Sequence, residues 1–197
     1  MHDKKRCDWV KPPDFYIQYH DEQWGTPVHN DRLHFELLTL ESAQAGLSFL
    51  TVLGKRAGYR QAFANFDVAQ IAAFDQAKLE ALYQDPGIIR NQRKIQATIN
   101  NARQFLKIQD AFRSFDRYIW DFVQGRPIIN HWHSYREAPG HTRLSDQISQ
   151  DLKQRGFQFI GSTIIYAYMQ AAGLVNDHIV DCFRYKELVT PTNEYIK

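Results

Sequence analysis

The stretch Asp85-Pro86-Gly87-Ile88-Ile89-Arg90-Asn91-Gln92-Arg93-Lys94-Ile95 decides how this chain is read. Proline fixes φ and glycine tolerates φ > 0, so Asp85-Pro86-Gly87 is predicted to be a turn. Beyond it, Ile95, Ile99, Ala102 and Leu106 recur in steps of four, three and four, the apolar face of a helix. Before it, Asp67 and Asp75 are suited to cap two short helices, the second ending near Tyr83. Further upstream, Asp31 is placed to cap a helix carrying Leu33, Leu37, Leu40, Gln44 and Leu47, and Ser48 to open another reaching Phe66. Downstream, Ser114 caps a helix with Tyr118, Ile119, Phe122 and Val123, and Ser145 caps an amphipathic one that stops at Gly156. Gly161 to Gly173 is apolar on most sides and reads as the central buried helix, whereas Gly125 to Thr142, with its prolines and glycines, reads as a long loop. Phe157-Gln158-Phe159-Ile160 alternates briefly, with no convincing partner. The chain is therefore predicted to be all-α, roughly two-thirds helical against a base rate of about a third.

At 197 residues the chain suits one domain, or one domain with a small lobe. We expect a single globular unit over 1–187, with 188–197 a loose tail. Apolar residues at 44% and charged residues at 23% exclude a disordered chain. The longest apolar stretch, Phe159 to Val175, contains Ser162, Thr163 and Gln170, too polar and short for a bilayer span. Met1 to Pro13 has no apolar leader core, so a cytoplasmic protein is expected. The two cysteines, far apart, exclude a disulfide framework. A net charge of +2 excludes binding of nucleic acid by bulk charge, though not by a local basic site.

Such a site lies around the opening stretch. Between Asp85 and Asp110 there is no acidic residue, while Arg90, Arg93, Lys94, Arg103 and Lys107 are all basic. Two helices joined at a tight glycine turn form a hairpin, and the second presents free backbone N–H groups at the turn. Phosphate suits that place, with Arg90, Arg93 and Lys94 adding charge-assisted contacts around Gly87. This is the pattern of a helix-hairpin-helix, which grips a DNA backbone without reading its sequence. The competing reading is a solvated basic helix face.

Cys7 and His20 lie in a helix-poor N-terminal segment, and His178 and Cys182 lie near the other end, spaced His-x3-Cys. Residues four apart on a helix share a face. Two thiolates and two imidazoles complete the tetrahedron zinc prefers, with no position left for water, so a structural ion clamping the two ends is expected. Otherwise the cysteines are free buried thiols and the histidines surface residues.

Glu41 stands among Leu37 and Leu40 on an apolar helix face, and a buried carboxylate needs partners or loses its charge. Ala45-Gly46-Leu47-Ser48-Phe49 follows as a break between helices. Trp9, Phe15, Tyr16, Tyr19 and Trp24 crowd the N-terminal segment. They could line a pocket or fill a core, and for Trp9 and Trp24 the core reading is favoured.

Taken together, these residues resemble the 3-methyladenine DNA glycosylase I family, constitutive bacterial enzymes of the helix-hairpin-helix superfamily. The likeness is carried through almost the whole chain. Its segments are Cys7-Asp8-Trp9-Val10, Tyr16-Ile17-Gln18-Tyr19-His20-Asp21-Glu22-Gln23-Trp24-Gly25, Gln44-Ala45-Gly46-Leu47-Ser48, Gly87-Ile88-Ile89-Arg90, Lys94-Ile95-Gln96-Ala97, Asn100-Asn101-Ala102, Arg155-Gly156-Phe157, Gly161-Ser162-Thr163, Met169-Gln170-Ala171 and Gly173-Leu174-Val175-Asn176-Asp177-His178. The resemblance implies an all-α helix-hairpin-helix glycosylase fold, with the hairpin inside 31–110 and a zinc lobe built from 1–30 and 111–187. It implies structural Zn2+ on Cys7, His20, His178 and Cys182, and a base pocket of Tyr16, Glu41 and Trp9, to which Tyr19 and Phe49 are added as candidates. It implies that Gly46 and Leu47 fill the gap left by a flipped nucleotide.

It further implies a monomer acting on double-stranded alkylated DNA, releasing free 3-methyladenine and leaving an abasic site without strand cleavage, with Glu41 as the functional carboxylate. Two departures stand out. Family members carry tryptophan where this chain has Phe49, and the hairpin turn is less glycine-rich than the superfamily's usual form. Two other functions are compatible with the residues alone: a non-enzymatic, structure-selective DNA-binding module, and a zinc hydrolase, which would need an open coordination position.

Overall fold

A computed structural model describes residues 4–189. Eleven α-helices account for most of them: α1 (Asp14–Glu22), α2 (Asp31–Gln44), α3 (Phe49–Leu53), α4 (Arg56–Ala62), α5 (Val68–Ala72), α6 (Gln76–Gln84), α7 (Gln92–Phe112), α8 (Phe115–Asp121), α9 (Arg143–Gln154), α10 (Ser162–Ala171) and α11 (Phe183–Val189). Helices cover 60% of the described residues, somewhat less than the sequence predicts. The shortfall has a local cause. Ser48 to Phe66 is not one helix but α3, α4 and a 3-10 turn at Ala64–Phe66. Glycine at 54 and 58 weakens a continuous helix, and Gly58 lies so close to the hairpin turn that a Cβ there would sit 2.2 Å from the Gly87 carbonyl oxygen.

Long α7 is the spine, with α2, α5, α6 and α8 packed on it. Its apolar face holds the predicted Ile95, Ile99 and Ala102, all buried, but Phe105 is the buried residue of the next turn and the predicted Leu106 is half-buried. On the far side α10 packs against α2 and α9. Helix α2 is sandwiched so completely that every residue from His34 to Ala43 is buried, including Glu36 and Glu41. Glu36 is paired: its carboxylate accepts from Arg56 at 2.6 Å and Arg60 at 2.8 Å, tying α4 to α2.

Cap positions differ from the sequence reading in two places, by one residue at α2 and by three at α9. Asn30, not Asp31, caps α2 by accepting from the Leu33 N–H. The Asp31 carboxylate instead accepts from the backbone N–H groups of Phe115 and Asp116, at 2.9 and 2.8 Å, and so stabilises the start of α8 alongside its cap Ser114. Thr142 caps α9, and Ser145 closes the reciprocal capping box. Asp67, Asp75 and Ser114 cap as predicted. The expected loop from 125 to 142 contains a two-residue strand, β1 (Ile128–Ile129), paired in parallel with β2 (Val175–Asn176). Phe157–Ile160 forms no strand. Of the expected tail, 188 and 189 are helical in α11, and 190–197 lie outside the described residues.

Candidate functional site

Six separate segments meet around a cavity of about 230 Å³. Trp9 comes from the N-terminal turns, Tyr16 and Tyr19 from α1 with Trp24 just beyond it, Glu41 and Gln44 from α2, Phe49 from the start of α3, and Tyr135, Ala167 and Gln170 from distant sequence. That is smaller than the roughly 300–1,000 Å³ of drug-sized ligand pockets and suits one planar heterocycle. Aromatic rings form most of the wall. The Trp9 ring lies 5.2 Å from Tyr16, 5.1 Å from Trp24 and 6.1 Å from Tyr135, and Tyr19 lies 5.2 Å from Phe49. Trp9 and Trp24 thus do both jobs the sequence left open, packing on the core and facing the cavity.

Three polar groups of this wall, on Glu41, Trp9 and Tyr19, are unpaired among the described residues. Buried polar atoms in folded proteins nearly always have a partner. Glu41 is 4% exposed and makes no hydrogen bond among the described residues, and burial pushes its carboxyl up to about 8. The buried indole N–H of Trp9 and the hydroxyl of Tyr19 are also without partners. Burial, reinforced by the nearby Glu41, raises both the Tyr16 and Tyr19 hydroxyls. An aromatic box holding one proton-accepting carboxyl and unsatisfied donors is poised for a flat ligand with both donor and acceptor edges, and a cationic one would favour the ionised carboxylate.

Beside the box, the α2–α3 loop turns at Gly46, whose φ of +79° only glycine adopts without strain. Leu47 follows, 42% exposed, an apolar side chain held out at the rim. The hairpin expected to touch phosphate places its basic residues unequally. Arg90 and Arg93 are exposed and make no ion pair among the described residues. Lys94, predicted to join them, does not. It is buried, and its ammonium donates to the carbonyls of Ala43 at 2.8 Å and Ala45 at 2.6 Å. It therefore satisfies the last carbonyls of α2 and braces the Gly46-Leu47 loop. Gly87 departs from the expected reason for a glycine: its φ is not positive, and a Cβ there would lie 2.9 Å from the Asp85 Oδ1, which its N–H already binds at 2.7 Å, and 3.4 Å from the Gly58 Cα.

Immediately behind Trp9 and Trp24, Cys7, His20, His178 and Cys182 converge, all buried, with one potential ligand atom of each within 4.8 Å of every other. The Cys7 Sγ is 3.5 Å from His178 Nδ1, and Cys182 Sγ is 3.5 Å from His20 Nε2 and 3.6 Å from His178 Nδ1. Metal bonds of about 2.3 Å to sulfur and 2.0–2.1 Å to nitrogen give tetrahedral S···N edges of about 3.6 Å. The remaining ring nitrogens are engaged as such a site needs: His20 Nδ1 meets the Asp21 carboxylate at 2.8 Å, and His178 Nε2 meets the Trp24 carbonyl at 3.0 Å. His178 and Cys182 do not share a helical face, as the spacing suggested. They flank a turn just ahead of α11. The group could hold a metal ion.

Tyr135 and Gln170 escaped sequence reasoning. The first sits in a 3-10 turn within the expected loop, and the second is a lone polar residue in the most apolar helix, which was the one available signal. Gln170 is held by Asp177. The Asp177 carboxylate accepts from Tyr166 (2.6 Å) and Gln170 (2.7 Å) on one oxygen, and from Asn130 (2.6 Å) and Trp132 (2.9 Å) on the other.

The pattern described as methyladenine glycosylase matches residues 9–185. DNA-3-methyladenine glycosylase 1 of Escherichia coli (strain K12) is 46% identical over 181 residues, covering 92% of this chain and 97% of that protein. A crystal structure of a 3-methyladenine DNA glycosylase I superposes with a TM-score of 0.88 at 49% identity, covering 91% of this chain and 98% of the other. A variant of 3-methyladenine DNA glycosylase I in complex with 3-methyladenine superposes with a TM-score of 0.87 at 34% identity, covering 90% and 95%.

Proposed function

The chain belongs to the methyladenine glycosylase family, and from that premise we propose that it is a monofunctional DNA glycosylase that hydrolyses the N-glycosidic bond of 3-methyladenine in alkylated DNA. The observation that carries the reading is the unpaired, buried carboxyl of Glu41 facing an aromatic box in a chain of this family.

The chemistry follows from the substrate. A base inside a duplex is out of reach, so the nucleotide must swing into the cavity. Methylation at N3 makes the attached adenine cationic. When the glycosidic bond breaks, its electron pair goes to N9 and leaves a neutral base. Water bonds to the sugar carbon and releases its proton, giving an abasic site. The protein need not protonate the leaving group. Its task is to favour the cation: Tyr16 and Phe49 offer ring faces, with Trp9 and Tyr19 completing the wall. The arriving charge draws Glu41 towards ionisation, and its carboxylate then accepts from the exocyclic amino group. No lysine lines the cavity, which fits hydrolysis without Schiff-base strand cleavage.

For DNA we propose α6, the turn and α7 as a helix-hairpin-helix. Gly87, Arg90 and Arg93 would meet the backbone, and Gly46 and Leu47 would fill the space vacated in the duplex. Residues 31–110 would then be the DNA-facing part, with 1–30 and 111–187 the metal-bearing lobe of a monomeric protein. Four soft or borderline ligands with filled outer contacts favour structural Zn2+ on Cys7, His20, His178 and Cys182, which would staple the two ends of the chain behind the pocket. No helix among the described residues is long and apolar enough to cross a membrane.

The deciding experiment incubates the protein with methylated duplex DNA and measures free base and abasic sites. Release of 3-methyladenine with intact strands is expected. Binding of the DNA without free base would make the chain a non-enzymatic structure-selective module. Instant, reversible loss of activity on chelation without unfolding would make the metal catalytic instead.

A further inference from the structure

The donors and acceptors around Gln170 have only one consistent arrangement. Asp177 is 1% exposed, and both its oxygens are taken up by the four bonds described above. The indole of Trp132 can only donate, so the oxygen it meets must accept. A carboxylate that only accepts forces Gln170 to turn its NH2 inward, whichever way the amide would otherwise lie. The Gln170 carbonyl oxygen is left on the other side, where the hydroxyl of Tyr135 donates to it at 3.2 Å. Tyr135 and Gln170 both line the cavity. A carbonyl oxygen has two acceptor sites, and Tyr135 fills one, leaving the other toward the hollow.

We infer that Asp177 is a positioning residue that locks the amide of Gln170 with its oxygen toward the base, and that Gln170 thereby acts as a specificity-determining acceptor for a base bearing an exocyclic amino group. This rests on the glycosylase reading. With Glu41, which lines the same cavity, it gives the box two acceptors. An amino group on the base edge satisfies them, whereas a ring carbonyl in the same place brings oxygen against oxygen, which costs more than a missing contact because the site's acceptors are left unpaired. The device discriminates a 3-methylated adenine from a 3-methylated guanine, two bases of similar size and identical positive charge that an aromatic box alone cannot separate. It also gives the four-donor nest at Asp177 a purpose: it holds one amide in one of its two orientations.

The test measures the ratio of initial rates of 3-methyladenine and 3-methylguanine release from one preparation of methylated duplex DNA. Wild type is compared with Asp177→Asn and Gln170→Met, and bound metal and circular dichroism are recorded for each protein. In Asp177→Asn the new amide can donate to Gln170, whose own amide then reverses and turns NH2 to the cavity. In Gln170→Met the acceptor is removed at nearly constant volume. In both, the ratio is expected to fall about tenfold, mostly through slower adenine release, with metal content unchanged. A merely structural role would slow both bases in proportion, and a ratio within twofold of wild type in the folded variants overturns the inference. If Asp177→Asn does not fold, Gln170→Met decides alone. A wild-type protein that releases no 3-methyladenine refutes the glycosylase reading itself, whereas an active wild type with unchanged variant ratios refutes only this one.

Discussion

Two polar nests sit back to back in this protein, sharing a wall of indoles. Trp9 lies 5.3 Å from the His20 ring and Trp24 lies 4.6 Å from that of His178, while the other faces of the same side chains border the cavity. Behind the wall, Cys7, His20, His178 and Cys182 turn every ligand atom toward one point, and both imidazoles spend their outer nitrogens on fixed partners. In front of it, Glu41, Tyr19 and the Trp9 N–H have none among the described residues. The difference separates stability from function. A closed, mutually satisfied set belongs to the fold. An equally buried but unsatisfied set costs stability and persists because a ligand completes it.

The comparison breaks most visibly if the satisfied nest is opened. On the proposal that the four residues hold structural zinc, Cys182→Ala should lose the ion and unfold well below the wild-type temperature. Removing a structural metal site is among the few single changes that cost more than about 4 kcal/mol. Zinc at one equivalent per chain in that variant would show that the four ligands are wrongly assigned. A wild type that keeps its melting temperature after exhaustive chelation would show that the ion does not hold the fold.

Opening the unsatisfied nest should do the reverse: little or no damage to the fold, large damage to function. Glu41→Gln keeps the shape and deletes the charge that answers a cationic base, so release of 3-methyladenine should fall by about 10²-fold, the scale of a lost electrostatic contact to a developing or resident charge. Its stability should move the other way with pH. The folded state holds the Glu41 proton up to about 8, against an ordinary 4.5, so between those values the folded chain binds more protons than the unfolded one and stability falls as pH rises. The variant lacks that slope. Its melting temperature should exceed wild type at pH 8 and converge on it at pH 5. Unchanged excision removes Glu41 from the chemistry, and parallel stability curves remove its buried ionisation.

The two nests were also unequally legible in the sequence. The residues alone offered Cys7 and His20 in one segment and a His-x3-Cys pair, His178 and Cys182, at the other end, with free thiols as the alternative, and the family resemblance supplied the full set. The cavity is assembled from six segments, and nothing in the local pattern around Tyr135 or Gln170 says that a loop and a buried helix meet there. Tyr16, Glu41 and Phe49 were named through family resemblance more than through periodicity. Helices were visible where an apolar face repeats for several turns, as in α7, and were misjudged at Ser48 to Phe66, where Gly58 serves packing against the hairpin turn. The β1–β2 pair, two residues each, is too short to leave a period.

Lys94 shows the same limit for charge. Its position in a basic run reads as exposure, yet its ammonium lies between the Ala43 and Ala45 carbonyls, an environment that no count of charges reveals. This makes it a bridge between the hairpin and the rim of the open nest. Lys94→Met should leave those carbonyls unanswered and loosen the Gly46-Leu47 loop. Excision from duplex DNA is expected to fall about tenfold, in keeping with one or two lost charge-assisted bonds. Binding of free 3-methyladenine, which needs the cavity but not the loop, should stay within twofold of wild type. Equal losses in both assays would make Lys94 a support of the pocket itself, and no loss in either would make the loop's position irrelevant.

The smallest effect should come from the two bases that are exposed. Arg90 and Arg93 have no protein partner among the described residues, so replacing both by alanine should cost the fold almost nothing. If each neutralises one phosphate, the double variant flattens the dependence of log affinity on log salt by up to about 1.8, since each released counterion contributes about 0.9 to the slope on duplex DNA. The loss should therefore be a few-fold at low salt, shrink as salt rises, and appear in KM with kcat preserved, because the cavity is untouched. A loss of equal size at every salt concentration would mean the arginines act through structure. No loss at low salt would leave the basic hairpin a solvated helix face and move the DNA contact elsewhere on the molecule.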